Sequence, residues 1–89
     1  MKRIHLIVSG VVQGVGFRYF TKREAEALKL TGFVHNKSDG TVEIEAQGTP
    51  EAVERFLEWA KRGPRNAVVE WIRQNEIDVV ADETNFEIH

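Results

Sequence analysis

Hydrophobic spacing along this chain switches from two residues to three-and-four and back, twice over, and few folds accept that order. Ile4, Leu6 and Val8 alternate with Arg3, His5 and Ser9, which predicts a first strand. After a glycine loop, Phe17, Thr21, Ala25 and Leu28 stand three and four apart. That spacing predicts a helix over Phe17 to Leu30, stopped by Thr31-Gly32. Phe33 to Lys37 predicts a short second strand, and Ser38-Asp39-Gly40 a hairpin turn. Val42, Ile44 and Ala46 alternate with Glu43, Glu45 and Gln47 in a third strand. Thr49 at the N-cap and Pro50 at the first helical position open a second helix. Val53, Phe56, Leu57 and Ala60 carry its face, Lys61 and Arg62 its last turn, and Gly63-Pro64 its end. Ala67 to Val80 is extended, but Val68, Val69, Trp71, Ile72 and Ile77 do not keep one face. Either a bulge or a strand running past the sheet accounts for that. Phe86 and Ile88 predict a final short edge strand.

The order β-α-β-β-α-β predicts an α+β, ferredoxin-like sandwich, an antiparallel sheet with two helices on one face. With 89 residues, one domain spanning positions 1–89 is expected. The crossover helix makes the first two strands parallel, with the third inserted between them. Their C-terminal ends then share one edge of the sheet, so Arg18 and Asn36 become neighbours.

The loop between the first strand and the first helix reads Gly10-Val11-Val12-Gln13-Gly14-Val15-Gly16-Phe17-Arg18. Glycines let successive backbone N–H groups turn toward one point. Such a row of amides at a helix N-terminus binds anions, phosphate above all. Arg18 adds a planar, permanently charged fork that fits phosphate oxygens. Taken alone, the glycines fit a phosphate cradle and a tight strand-to-helix turn equally well. They form neither a dinucleotide fingerprint nor a P-loop, because no Gly-Lys-Ser/Thr follows. An arginine in a first helical turn opposes the positive end of the helix unless an anion compensates it.

Three matches, taken together, resemble the acylphosphatases. The first is Gly10-x-Val12-Gln13-Gly14-Val15-Gly16-Phe17-Arg18; the second is Gly32-Phe33-Val34-His35-Asn36 followed by Gly40-x-Val42 and Gly48. The third and weaker one is Lys61-x-Gly63-Pro64. The resemblance implies hydrolysis of a small-molecule acyl phosphate to a carboxylate and inorganic phosphate, with no metal or cofactor. It further implies that Arg18 and the amides of Gly10, Val11, Val12, Gln13, Gly14, Val15, Gly16 and Phe17 bind the phosphoryl group. Asn36 would then position the attacking water. A carboxylate leaves readily, so positioning and charge stabilisation suffice for such chemistry. The residue before the asparagine is more often arginine or lysine in this family, and here it is His35. Strand alternation turns His35 away from Asn36, so its expected bearing is on affinity or pH behaviour.

Other residues have plainer readings. Asn36 by itself would pass for a strand-end residue, and its shared edge with the loop raises it above that. Gln13 shapes the loop, Lys37 is a solvated charge beside the hairpin, and Ser38 and Thr41 are turn residues. His5, His35 and His89 carry no metal-type spacing. Glu43 and Glu45 fall on the open face without matched partners and read as solubilising. Trp59 and Trp71 read as packing or half-buried residues.

The chief alternative is a non-catalytic anion-binding or RNA-binding module on the same fold. Strand 3 offers Glu43, Glu45 and Gln47 where such modules offer aromatics, and the formal net charge is −2. No nucleic-acid partner is therefore expected. The apolar run after Met1-Lys2-Arg3 is too short for a signal segment or a membrane span. With no cysteine there is no thiol nucleophile or zinc–thiolate site. The expectation is a cytoplasmic monomer, without membrane contact. Domains of this kind also occur attached to larger maturation enzymes, an alternative that the short chain argues against.

Overall fold

In the computed structural model, which describes residues 1–89, seven elements follow one another. They are β1 (Lys2–Val11), α1 (Phe17–Ala27), β2 (Thr31–Asn36), β3 (Val42–Gly48), α2 (Pro50–Arg62), β4 (Val68–Ile77) and β5 (Phe86–Ile88). The sheet runs β4-β1-β3-β2-β5, with β3 antiparallel to both β1 and β2. Leu6 sits opposite Ile44 and Ile44 opposite Val34, a row of three fully buried side chains. The helices close over this face. Phe17 and Ala25 from α1, and Val53, Phe56 and Ala60 from α2, complete the core. Each large apolar side chain buried there contributes about 1.5–3 kcal/mol relative to exposure.

Three features depart from the sequence expectation, and a fourth settles an alternative left open there. The sheet is mixed rather than antiparallel, because β5 runs parallel to β2, Val34 opposite Ile88. The connection from β4 crosses from one edge of the sheet to the other, so no hairpin dictates the direction of β5. Gly32 N donates to Asn85 O at 3.0 Å and His89 N to Val34 O at 2.8 Å. Phe86, 2% exposed, anchors the segment in the core.

α1 ends at Ala27, earlier than the apolar spacing implies. Lys29 takes a left-handed conformation, φ 59°, its N–H donating to Glu26 O while that of Leu30 donates to Ala25 O. That pair of bonds is a Schellman stop, with lysine where glycine is usual. Thr31-Gly32 instead begins β2. Gly32 is needed there because a Cβ would lie 1.9 Å from Glu45 O.

β4 contains the bulge that its muddled period allowed. Ser9 pairs with Trp71 and Gly10 with Val69, which leaves Glu70 as the extra residue. Trp71 is half exposed under Arg73, whereas Trp59 packs against the core.

The open face of the sheet is more ordered than a merely solubilising surface. Glu43 meets His5 at 2.8 Å and His35 at 3.2 Å. Arg3, only 2% exposed, is bound by Glu45 at 2.8 Å and Glu83 at 2.7 Å. Gln47 exchanges two bonds with the backbone of Val80, so the β4–β5 connection is strapped across this face. Burial alone would lower the Arg3 pKa, but its bonds to Glu83 and Glu45 outweigh that and raise it.

Candidate active site

The glycine loop is held at both ends by the core. Val12 and Phe17 are each 1% exposed, and the Phe17 ring lies 6.0 Å from that of Trp59. Between these anchors Gly14 and Gly16 adopt φ of 74° and 77°, which L side chains take only with strain. Gly16 is also the N-cap of α1, and no side chain caps the helix there.

Consequently the amides of the loop and first turn lack protein acceptors. No hydrogen bond has its donor among the backbone N–H groups of Gln13 to Tyr19; the first to find one is Phe20 N, to Gly16 O at 3.1 Å. The positive end of α1 adds to the field of this row, and no acidic residue in its first turn offsets it.

Arg18 stands in that first turn and donates from Nη1 to the main-chain oxygen of His89 at 3.2 Å. Asn36 closes β2. Its Oδ1 is buried and accepts no hydrogen bond. Both side chains line one pocket of about 220 Å³, together with Val12, Gly14, Gly16, Phe17, Tyr19 and Ile88. The juxtaposition expected from element order is thus realised.

Not every residue of the predicted phosphate loop lines the pocket. Gly10 and Val11 are strand residues of β1 paired with Val69 and Val68, and neither lines the pocket. Glycine is required at position 10 for a different reason, since a Cβ there would lie 2.0 Å from Val68 O. Gln13 and Val15 belong to the loop but do not line the pocket. The Gln13 side chain turns to the β2–β3 hairpin, donating to Lys37 O at 2.8 Å and Thr41 O at 2.9 Å.

Tyr19 and Ile88 were not legible as site residues. Ile88 arrives only because β5 pairs parallel to β2, a direction that no local spacing encodes. His35 lies on the open face against Glu43, as alternation requires. Its imidazole shares that carboxylate with His5, and the bond from His5 holds Glu43 below the usual carboxylate range. No group of three or more His, Asp and Glu side chains is placed to hold a metal ion, and no helix is long and apolar enough to cross a membrane.

Comparison with known proteins bears on the family and the fold. The acylphosphatase family model matches residues 4–88. The chain is 51% identical over 88 residues to an acylphosphatase of Geobacillus thermodenitrificans, covering 99% of this chain and 94% of that one. It is 46% identical over 87 residues to an acylphosphatase of Caldivirga maquilingensis, covering 97% and 92%. The crystal structure of acylphosphatase from Bacillus subtilis superposes with a TM-score of 0.95 at 42% identity, covering 100% of this chain and 99% of that one. Full-length HypF, solved in a phosphate- and nucleotide-bound form, contains a similar unit at TM-score 0.89 and 32% identity, over 99% of this chain but 12% of that one. On the matched length, the shared architecture and the motifs that meet in one pocket, the chain belongs to the acylphosphatase family.

Proposed function

We propose that this pocket hydrolyses acyl phosphates, with Arg18 and the loop amides binding the phosphoryl group and Asn36 positioning the water. The observation that carries the reading is the run of backbone amides from Gln13 to Tyr19 without protein acceptors, beside Arg18 and the unpartnered Asn36 Oδ1. Phosphoryl transfer spreads negative charge over three oxygens, and preorganised N–H groups with a guanidinium are matched to that charge. Asn36 Oδ1 accepts a hydrogen bond from water and turns its lone pair toward phosphorus. A P–O bond forms to the water oxygen and the P–O bond to the acyl group breaks. The carboxylate leaves with the bonding pair, and the water proton passes to a phosphate oxygen of the substrate. The reading needs no metal or cofactor. Because the pocket is lined within one chain, a monomer suffices.

The test is turnover of benzoyl phosphate with and without a chelator. Turnover should survive the chelator. Arg18→Ala should remove both phosphate binding and turnover, and Asn36→Ala should lower kcat about 10²–10³-fold while phosphate still competes. An active Arg18→Ala enzyme, or chelator-sensitive turnover, would sink the assignment.

A further inference from the structure

We propose that Gln13 is a positioning residue, whose side chain holds the phosphoryl cradle in register with Asn36. The proposal rests on the roles just given to the cradle and to Asn36. Both N–H bonds of the Gln13 amide are committed, one to Lys37 O at 2.8 Å and one to Thr41 O at 2.9 Å. These two carbonyls belong to the turn that directly follows Asn36. The turn is otherwise closed on itself. Lys37 N donates to Thr41 O at 2.9 Å, and Gly40 N to Lys37 O at 3.2 Å. Asp39 Oδ1 accepts from Thr41 N at 2.9 Å and from Thr41 Oγ1 at 2.6 Å.

The sheet does not supply this link. β1 pairs with β3 only as far as Val8, opposite Val42, and from Ser9 to Val11 it pairs with β4 alone. Asn36 pairs with Val42 at the last rung of β2 with β3. Beyond that rung no ladder pairing joins the cradle to the Asn36 hairpin, and the Gln13 side chain bridges them. One amide therefore ties the loop that holds phosphorus to the strand end that holds water. Glutamine suits the task because one planar group presents two donors to two acceptors. Glutamate of equal length would set its oxygens against the same carbonyl oxygens. Leucine would remove the bridge and leave each carbonyl only its bond within the turn, Lys37 O from Gly40 N and Thr41 O from Lys37 N.

The experiment measures kcat, KM and inhibition by inorganic phosphate for Gln13→Leu and Gln13→Glu, each alone and combined with Asn36→Ala. Misplacement of a reacting group by about 1 Å costs on the order of 10²-fold, so kcat should fall about 10- to 100-fold. The inhibition constant for phosphate should stay within about threefold, because the cradle amides are backbone groups that substitution leaves in place. In the Asn36→Ala background the same substitutions should lower kcat no further, since the positioned water is already lost. Undiminished kcat, a loss of phosphate affinity as large as the loss of kcat, or a full additive loss on top of Asn36→Ala would each overturn the proposal. If the leucine variant does not fold, the glutamate variant decides; failure of both to fold would show a structural contact and overturn it too. An Asn36→Ala enzyme that keeps full turnover would instead overturn the role of Asn36 on which the proposal rests.

Discussion

Arg18 donates from Nη1 to the main-chain oxygen of His89 at 3.2 Å, so the cation beside the cradle is aimed by the residue that follows β5. One guanidinium can keep this bond and still present N–H groups to a phosphoryl oxygen; an ammonium has a single nitrogen for both duties. Arg18→Lys is therefore expected to lose about 10²-fold in kcat/KM while retaining the fold. Steady-state kinetics with benzoyl phosphate beside a thermal melt checks this. A lysine enzyme within threefold of the parent would mean that charge alone is enough.

Arg3 and Glu83 make stability depend on pH. Burial works against ionisation of Glu83, but the bond from Arg3 overcomes it and lowers its pKa from the ordinary 4.5. A folded pKa below the unfolded one means that the unfolded chain binds the extra proton. The stabilisation is then present above about pH 4.5 and is lost as pH falls through the folded value. Glu83→Gln should cost about 1–3 kcal/mol at pH 7, because Arg3 keeps only Glu45 as a charged partner, and less at pH 3, below the unfolded pKa. Chemical denaturation of both proteins at the two pH values reads the difference. An equal gap at pH 3 would refute the linkage.

Lys29 holds a left-handed backbone at the end of α1, φ 59°. Glycine takes that conformation without a Cβ penalty, and Schellman stops favour it. Lys29→Gly should stabilise the protein by about 0.5–1 kcal/mol and leave kcat unchanged. A melting temperature that drops would contradict this.

Two glycines should separate folding from function. Gly32→Ala drives a Cβ against the backbone oxygen of Glu45, 1.9 Å away, where nothing flexible can yield. A loss of about 3 kcal/mol or more is expected, detectable as a collapsed melt. Gly14→Ala meets nothing within 4 Å but keeps the cost of φ 74°. It should destabilise by only about 1–2 kcal/mol and weaken phosphate inhibition, since the amide row follows from that dihedral.

What could be read beforehand was what local periodicity encodes. The alternation in β1 and β3 and the capping of α2 by Thr49, which accepts from Ala52 N at 3.2 Å, came through as read. So did the meeting of Arg18 with Asn36, because it follows from element order. Long-range pairing was not legible. The direction of β5 depends on a connection that crosses the sheet, and so Ile88 and the His89 oxygen could not be placed. The partners of Glu43 and Glu45 come from other strands and from residue 83, which no spacing reveals. Gly10 looked like part of the anion loop because glycine permits two things, a turned amide and a close backbone approach. Here the contact with Val68 O requires the second.

Val12 and Phe17 are both locked in the core, so the backbone between them cannot reshape itself around different guests. On the proposed reading, the group it grips is the one that every acyl phosphate shares. Tyr19 and Ile88, which line the same pocket, are 56% and 42% exposed, so on the proposed reading the acyl group meets an open rim. An enzyme built this way is expected to be choosy about the phosphoryl head and indifferent to the tail.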